Sequence, residues 1–356
     1  MMPPVRRRPL DLPHAQGDFP PRASQNRDRV DRTRSFHRDR SRAILREHPE
    51  IRDLVGPYWP SAACIIFVAI LHVAIAAIVS QFQWWVVLAA AYLVGAVLAL
   101  ALWTLLHETT HDLVFRGRSA NQWLGIAAGL PLIIPAAASF RKFHLLHHRH
   151  QGDEVLDGEI PSAWEVQLVG TNPLKKAIWM LAYPLLIAMR PARMRTVDMF
   201  DRWFVSNVVV QICFNVALVA MFGWGALAYC LLANIFALGL HPLGGRWIQE
   251  HYRFDPKQVT YSYYGPMNWL VFNAGYHVEH HDLVRIAWRH LPKVRRLADE
   301  HYKGLTSYTS WRKLLFNFFR AQELGLVATR NVDDEESPYT GAGEIQRDRV
   351  TPGLEA

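Results

Sequence analysis

The sequence contains few cysteines, and they are far apart. Only three occur among 356 residues, each within an apolar run. This count excludes a small fold held together by disulfides, and the spacing excludes zinc ribbons and iron–sulfur clusters with cysteine ligands. Hydrophobic residues make up 51% of the chain, which excludes disorder over its whole length.

Charge is absent from two long segments. Neither 54–106 nor 203–245 contains an Asp, Glu, Lys or Arg. A membrane-spanning helix needs about 20 apolar residues, so each segment is long enough for two spans joined by a tight turn. We therefore predict an all-α integral membrane protein with four transmembrane helices in two hairpins. The predicted spans cover about 61–80, 84–106, 203–222 and 225–242.

Two shorter apolar segments are interrupted by proline. The first, 121–139, contains Pro131 and Pro135, and the second, 177–189, contains Pro184. Both are short or kinked for a clean span, so we predict interfacial or re-entrant helices. The long polar segments would then share one side of the membrane. Thirteen arginines within residues 1–52 place that side in the cytoplasm by the positive-inside rule.

The same patterning predicts three regions. Residues 1–35 are rich in Arg, Asp and Pro and are expected to form a disordered arm attracted to the membrane surface. Residues 36–322 are expected to form the membrane domain with a cytosolic, histidine-rich cap. Residues 323–356 are predicted to be a disordered polar tail. No fold that would support nucleic-acid binding follows the basic arm.

The chain contains 17 histidines, and most of them are clustered in the sequence. Three short boxes contain histidines spaced three or four residues apart, which places them on one face of a helix. The boxes follow the second span, the first re-entrant segment and the fourth span, so all three should emerge on the cytoplasmic side. Their members are His107 and His111, then His144, His147 and His148, then His277, His280 and His281.

Eight imidazoles at one site exceed the needs of one tetrahedral zinc ion. Neutral imidazole binds iron, zinc, copper or nickel, so the set predicts two metal ions with higher coordination numbers. Two redox-active irons at a membrane would suit dioxygen activation and attack on an unactivated C–H bond. The isolated histidines in polar contexts, including His37, are predicted to be surface residues.

Other functions fit parts of the pattern. Residues 107–111 also read HExxH, the motif of zinc proteases, with Glu108 as general base and Asp157 as a third ligand. That alternative leaves two histidine boxes unexplained. A membrane protein that binds metal or lipid without catalysis is a further alternative, which a test for lipid products would separate from an enzyme.

The sequence around the boxes resembles one family in particular, the sphingolipid delta-4 desaturases of the membrane fatty-acyl desaturase and hydroxylase superfamily. Residues 42–56 resemble the N-terminal segment of that family. The blocks that carry the likeness around the boxes are 143–152 (FHLLHHRHQG), 157–161 (DGEIP), 239–252 (GLHPLGGRWIQEHY) and 260–282 (TYSYYGPMNWLVFNAGYHVEHHD).

The resemblance implies a di-iron enzyme that uses dioxygen. Its electrons would come from an external donor, such as cytochrome b5 with its reductase or a ferredoxin-type protein. The implied reaction introduces the delta-4 double bond of the sphingoid chain and converts dihydroceramide to ceramide. A fatty-acyl desaturase or a lipid C4-hydroxylase could use the same metal site. The implied location is the endoplasmic reticulum membrane in a eukaryote, or the cytoplasmic membrane in a bacterium.

The resemblance also implies iron ligands, namely the eight histidines of the three boxes. The superfamily adds one more histidine between the last span and the third box. His251 fits that place best, and His241 is the other candidate. Carboxylates near the boxes are expected to orient the imidazoles from behind. The candidates are Glu108, Glu250, Glu279 and Asp282.

Overall fold

The computed structural model describes residues 36–153, 155–193, 198, 200–252, 258–321 and 325–326. The described chain is mostly helical. Its helices are α1 (36–47), α2 (Pro60–Val79), α3 (Trp84–Thr110), α4 (Arg118–Gly129), α5 (Ala137–His150), α6 (Ala163–Val169), α7 (Pro173–Arg193), α8 (Arg202–Leu238), α9 (Gly245–His251), α10 (Met267–Leu270), α11 (His277–Asp282), α12 (Leu291–Leu297), α13 (Asp299–Tyr302) and α14 (Trp311–Arg320). Short 3-10 turns occupy Pro49–Leu54, Leu130–Leu132 and Pro242–Gly244.

Three of these helices, α2, α3 and α8, are long and apolar enough to cross a membrane. The first two coincide with the predicted spans at 61–80 and 84–106. A π-helical turn at Ala91–Gly95 interrupts α3. Gly95 lies in this turn against α8, where an added Cβ would come within 2.8 Å of the Ala233 Cβ. The bundle is therefore closely packed at the level of the π turn.

The long helix α8 folds back on itself. Asn215 donates to the Ile133 carbonyl at 3.0 Å, and Asn234 donates to the Leu132 carbonyl at 3.3 Å. Nineteen residues of straight helix cover about 28 Å, so both side chains could not reach adjacent carbonyls unless the helix reversed. The reversal lies at Gly223, which has φ 78° and ψ 175°. This conformation favours glycine, and it occurs within the turn predicted between the third and fourth spans.

The segment predicted at 121–139 is a broken helix. Helices α4 and α5 meet at an angle of 112° across the turn that contains Pro131 and Pro135. This geometry is that of a broken span or a re-entrant loop. The bend places the polar end of α5, which contains the second histidine box, beside the end of α3.

Helix α7 corrects the expectation for 177–189. It is 21 residues long and continues through Pro184, whereas we predicted a short or kinked segment. Proline at 184 removes the helical donor for the Met180 carbonyl, and Gly239 packs against that carbonyl. One face of α7 buries Trp179, Met180 and Tyr183. The opposite, exposed face is apolar, as expected for an interfacial helix, and contains Leu174, Ile178, Leu181, Leu185 and Met189.

The remaining elements form a cap over one end of the bundle. Its two-stranded parallel sheet pairs β1 (Ser262–Tyr263) with β2 (Ser307–Tyr308). Ile44 of α1 and Val278 of α11 are buried in the same apolar cluster, which ties the start of the described chain to the third histidine box. The predicted arm at 1–35 lies outside the described residues, as does most of the tail at 323–356. Within that tail, Leu326 is fully buried and belongs to the same apolar cluster as Trp179.

Candidate metal centre

Five histidines from three helices form a first cluster. Their ligand nitrogens all lie within 4.8 Å of one another. His107 lies in the last turn of α3 and His111 is the residue directly after that helix, while α5 contributes two histidines and α11 contributes one. They are His107, His111, His144, His148 and His280.

A second cluster lies beside the first. His147, His251 and His281 have ligand nitrogens within 4.8 Å of one another. His277 joins them, because its Nε2 lies 3.0 Å from Nε2 of His251 and 3.1 Å from Nε2 of His281. The second cluster is therefore His147, His251, His277 and His281. All nine predicted ligands thus fall into two adjacent groups.

His241, the other candidate for the ninth ligand, lies apart from both clusters. Its ring packs on Tyr92 with 4.3 Å between the ring centroids. Its Nδ1 accepts a hydrogen bond from the Leu243 backbone at the start of a 3-10 turn. His241 thus acts as a helix-capping residue in this structure.

The imidazole nitrogens of the clusters are arranged so that they can bind a cation. Nε2 of His144 lies 3.0 Å from Nε2 of both His111 and His148, and Nε2 of His280 lies 3.2 Å from that of His148. A neutral imidazole has only one N–H group. Because Nδ1 of His144 bonds Glu159, its Nε2 presents a lone pair to the first cluster. A metal ion would be bound by imidazole nitrogens that converge in this way and direct a lone pair inward.

Two nitrogens strengthen this argument. Nε2 of His107 and Nε2 of His147 are buried and have no hydrogen-bond partner among the described residues. Nδ1 of His147 bonds Asp157, which leaves its Nε2 as the free acceptor that faces the second cluster. Buried polar atoms without partners are rare in folded proteins and call for a ligand.

The carboxylates that orient the second box come from the loop after α5. Asp157 Oδ2 lies 2.9 Å from Nδ1 of His147 and also accepts the Gly152 backbone N–H at 2.8 Å. Glu159 bonds Nδ1 of His144. We did not predict these roles, although both residues lie in the DGEIP block that follows the box. A carboxylate behind a metal-binding imidazole fixes its tautomer and raises its basicity.

The four carboxylates that we predicted to orient the imidazoles differ in the groups that they contact. Glu250 Oε1 lies 3.4 Å from Nδ1 of His277, and Glu108 Oε1 lies 4.0 Å from Nδ1 of His107. Glu279 instead accepts hydrogen bonds from Ser262 and Tyr264 at 2.7 and 2.5 Å.

Asp282, the fourth of them, forms an ion pair with Arg40 and a 2.7 Å hydrogen bond with His37. It therefore holds α1 against the cap rather than orienting one of the predicted ligands.

His37 was predicted to lie on the surface, and this is wrong. It is buried, with Nδ1 on Asp282 and Nε2 on the Thr260 hydroxyl at 2.9 Å. Gln151 also donates to the Thr260 hydroxyl and lies 2.9 Å from Nδ1 of His251. A chain of polar contacts therefore connects α1 with the second cluster. No local sequence pattern distinguishes His37, because its partners are more than 200 positions away.

Burial sets the charge of the clustered imidazoles in the cap. Desolvation is the main cause that lowers the pKa of His251, His277, His280 and His281 well below the ordinary value. These side chains are neutral at neutral pH, the form that binds metal. Burial also raises the pKa of Glu250 to about 7.

A cavity of about 240 Å³ opens beside the clusters. His107, His144 and His277 contribute to its wall, so it reaches both groups of histidines. Much of the remaining wall is apolar, and it includes Trp103, Phe140, Phe143, Ile187, Phe204 and Leu238. This space is suited to hold a lipid chain beside the histidines.

Comparison with known proteins identifies the family. A model described as "Fatty acid desaturase" matches residues 82–312, which include all nine predicted ligands, and one described as "Sphingolipid Delta4-desaturase (DES)" matches residues 32–59. The chain belongs to the fatty acid desaturase family. Membership makes it an oxidoreductase and confirms the likeness seen in the sequence.

Curated relatives indicate which branch of the fatty acid desaturase family this chain resembles. A rice protein named sphingolipid delta(4)-desaturase DES1-like is 39% identical over 289 residues, which cover 81% of this chain and 88% of the relative. The Drosophila melanogaster sphingolipid delta(4)-desaturase DES1 is 38% identical and covers 83% and 92% of the two chains. A rat protein named sphingolipid delta(4)-desaturase/C4-monooxygenase DES2 is 36% identical and covers 81% and 90%.

The zinc-protease alternative does not fit this desaturase. It required Asp157 to join His107 and His111 as a third ligand. Asp157 instead bonds His147, while His107 and His111 lie with three other imidazoles. The HExxH pattern here is one part of a larger histidine set.

Proposed function

We propose that this protein introduces the delta-4 double bond into the sphingoid chain of dihydroceramide and so forms ceramide. The observation that carries the proposal is the pair of histidine clusters on the wall of an apolar cavity, in a chain whose relatives are named sphingolipid delta(4)-desaturases.

The nine histidines of the two clusters are the proposed metal ligands. Two iron ions, when bound there, would supply dioxygen activation and the removal of hydrogen from an unactivated methylene group. The first cluster would hold one ion and the second cluster the other. Lone pairs directed inward and carboxylates behind His144 and His147 support this assignment.

The chain itself positions the substrate and the imidazoles. Asp157 and Glu159 fix the tautomers of His147 and His144, so that Nε2 of each faces inward. Aromatic and aliphatic side chains of the cavity hold the lipid chain and exclude water from the reacting methylene groups. Desaturation removes two hydrogen atoms from the lipid, and two electrons from an external donor together with two protons from water complete the reduction of dioxygen to two waters.

C4-hydroxylation is the second candidate, since the rat relative is named as both a desaturase and a C4-monooxygenase. Insertion of one oxygen atom at C4 would use the same site, and small differences in substrate position would decide the outcome.

An assay of the reconstituted protein with dihydroceramide, dioxygen and reduced cytochrome b5 tests both reactions. A product 2 Da lighter supports desaturation, and one 16 Da heavier supports hydroxylation. Two irons per chain without either product would discard the proposed substrate, and zinc in place of iron would contradict the metal assignment.

We also propose a membrane topology. The reversal of α8 at Gly223 supports four spans, with α4, α5 and α7 as re-entrant or interfacial elements. The histidine clusters and both termini would lie in the cytosol, since the arginines precede the first span. A eukaryotic host would place the protein in the endoplasmic reticulum membrane and a bacterial host in the cytoplasmic membrane. Protease accessibility of N- and C-terminal tags in sealed vesicles tests this arrangement.

A further inference from the structure

The hydroxyl group of Tyr183 is buried without a protein partner. Tyr183 lies on α7 and is only 1% exposed, and its oxygen has no hydrogen-bond partner among the described residues. The ring is held firmly, because it packs against Trp179 and Trp247 with centroid distances of 5.1 and 4.7 Å. A buried hydroxyl group without a partner is unfavourable, and phenylalanine would fill the same space without that cost.

The position of Tyr183 indicates what the hydroxyl group could bind. Tyr183 lines the cavity that also contains His107 and His144 of the first cluster. Arg246 and Glu250 are charged residues of the same wall, and they form an ion pair with 2.6 Å between the guanidinium nitrogen and the carboxylate oxygen. The cavity thus combines apolar walls, suited to a hydrocarbon chain, with polar groups near the histidines. A ligand with a polar group close to its reacting carbons matches this arrangement.

We propose that the Tyr183 hydroxyl group hydrogen-bonds the C3 hydroxyl group of the sphingoid substrate. This inference rests on the proposed function, in which C4 and C5 react. The hydroxyl group sits on C3, which is bonded directly to C4, so any group that binds it must line the same cavity as the histidines. A tyrosine hydroxyl can both donate and accept, as can the alcohol that it would bind.

This contact would make Tyr183 a specificity-determining residue. A site built to bond a substrate hydroxyl group discriminates strongly against a lipid that lacks it, because the protein group is then left buried and unpaired. Fatty-acyl chains have no hydroxyl group beside the methylene groups that would enter the cavity. Tyr183 would therefore favour a sphingoid lipid over a plain acyl chain.

The test removes one hydroxyl group from the protein and one from the lipid. Tyr183→Phe is compared with Tyr229→Phe, a matched control. The Tyr229 hydroxyl group is also buried without a partner among the described residues, but it lies on α8 beside His72 and not in the cavity wall. Purified wild type and both variants receive a short-chain dihydroceramide or its 3-deoxy analogue, and kcat/KM is measured for each pair, with iron content and Tm as checks on folding.

Wild type should favour the hydroxylated lipid. Tyr183→Phe should lower kcat/KM for dihydroceramide about tenfold and leave the value for the 3-deoxy analogue within about twofold, the size expected for one hydrogen bond. Tyr229→Phe should change neither value by more than about twofold. The inference is overturned if Tyr183→Phe keeps the wild-type preference, if both lipids lose equally, or if Tyr229→Phe has the same effect. A folded, iron-loaded wild type that converts neither lipid overturns the proposed function as well.

Discussion

Oδ2 of Asp157 lies 2.9 Å from Nδ1 of His147, ten positions earlier in the chain. Both side chains are completely buried. The carboxylate accepts the Nδ1 proton and thereby leaves Nε2 of His147 as the acceptor that faces the second cluster. A short loop after α5 thus determines how a helix residue presents its lone pair.

Replacing this carboxylate should weaken metal binding. We expect Asp157→Asn to lower the affinity of the second cluster for iron by about 10- to 100-fold, because an amide neither fixes the tautomer nor raises the basicity of His147. Elemental analysis of protein dialysed against a weak chelator would measure iron per chain. Asp39→Asn, which changes an exposed carboxylate paired with Arg38, is the control and should keep the wild-type content. Equal iron retention in the two variants would contradict this role.

The two candidates for the ninth ligand should behave differently. His251→Ala should lower iron content and reduce activity about 100-fold or more, since His251 contacts His277 and His147 in the second cluster. His241→Ala should keep the iron and cost only about 1 kcal/mol of stability through the lost cap on the 3-10 turn. Iron analysis and thermal unfolding distinguish the two. Loss of iron from His241→Ala with retention in His251→Ala would reverse the assignment.

The turn of α8 should be sensitive to a single methyl group. Gly223 has φ 78°, and no atom lies within 4 Å of the position that an added Cβ would occupy. Gly223→Ala should therefore lower stability by about 1–3 kcal/mol through backbone strain alone. Gly304→Ala, also in open space but without a positive φ, should be neutral or slightly stabilising. The Tm in detergent measures both, and equal values would argue against a turn at Gly223.

One contact in the cap should depend on pH. His48 bonds Glu300, which raises the pKa of the imidazole and lowers the pKa of the carboxyl group. The His48 contribution is present in full below its ordinary pKa near 6.5 and is lost as pH rises through the elevated value. The Glu300 contribution is lost as pH falls through its lowered value. The Tm difference between wild type and His48→Gln should therefore be larger at pH 5.5 than at pH 8.5. The same difference at both values would contradict this pairing.

Local patterns in the sequence predicted the elements that depend on neighbours in the chain. Uncharged runs located α2 and α3. The spacing of three or four residues predicted that the histidines of the three boxes meet at one site, and they lie in two adjacent clusters. The turn at Gly223 followed from the Phe-Gly-Trp-Gly segment between two apolar runs.

Features that depend on distant contacts could not be predicted in this way. His37 is isolated in the sequence, and only the folded chain brings it to Asp282 and Thr260. Asp157 and Glu159 were visible as acidic residues near the second box, but no spacing rule indicated which imidazole each would bond. The length of α7 is underestimated at 177–189 because that apolar segment is bounded by the charged residues Lys176 and Arg190, whereas the helix continues past both. The close approach of Gly239 to the Met180 carbonyl, beside Pro184, is not evident from the sequence.

Lipid mass spectrometry in cells tests the central claim most directly. Cells that express the wild type, His280→Ala or His290→Ala would be fed dihydroceramide. His280 belongs to the first cluster, whereas His290 lies outside both. We predict a product 2 Da lighter with the wild type and with His290→Ala, and none with His280→Ala, although all three proteins insert into the membrane. Wild-type amounts of product from His280→Ala would contradict a di-iron desaturase built on these histidines.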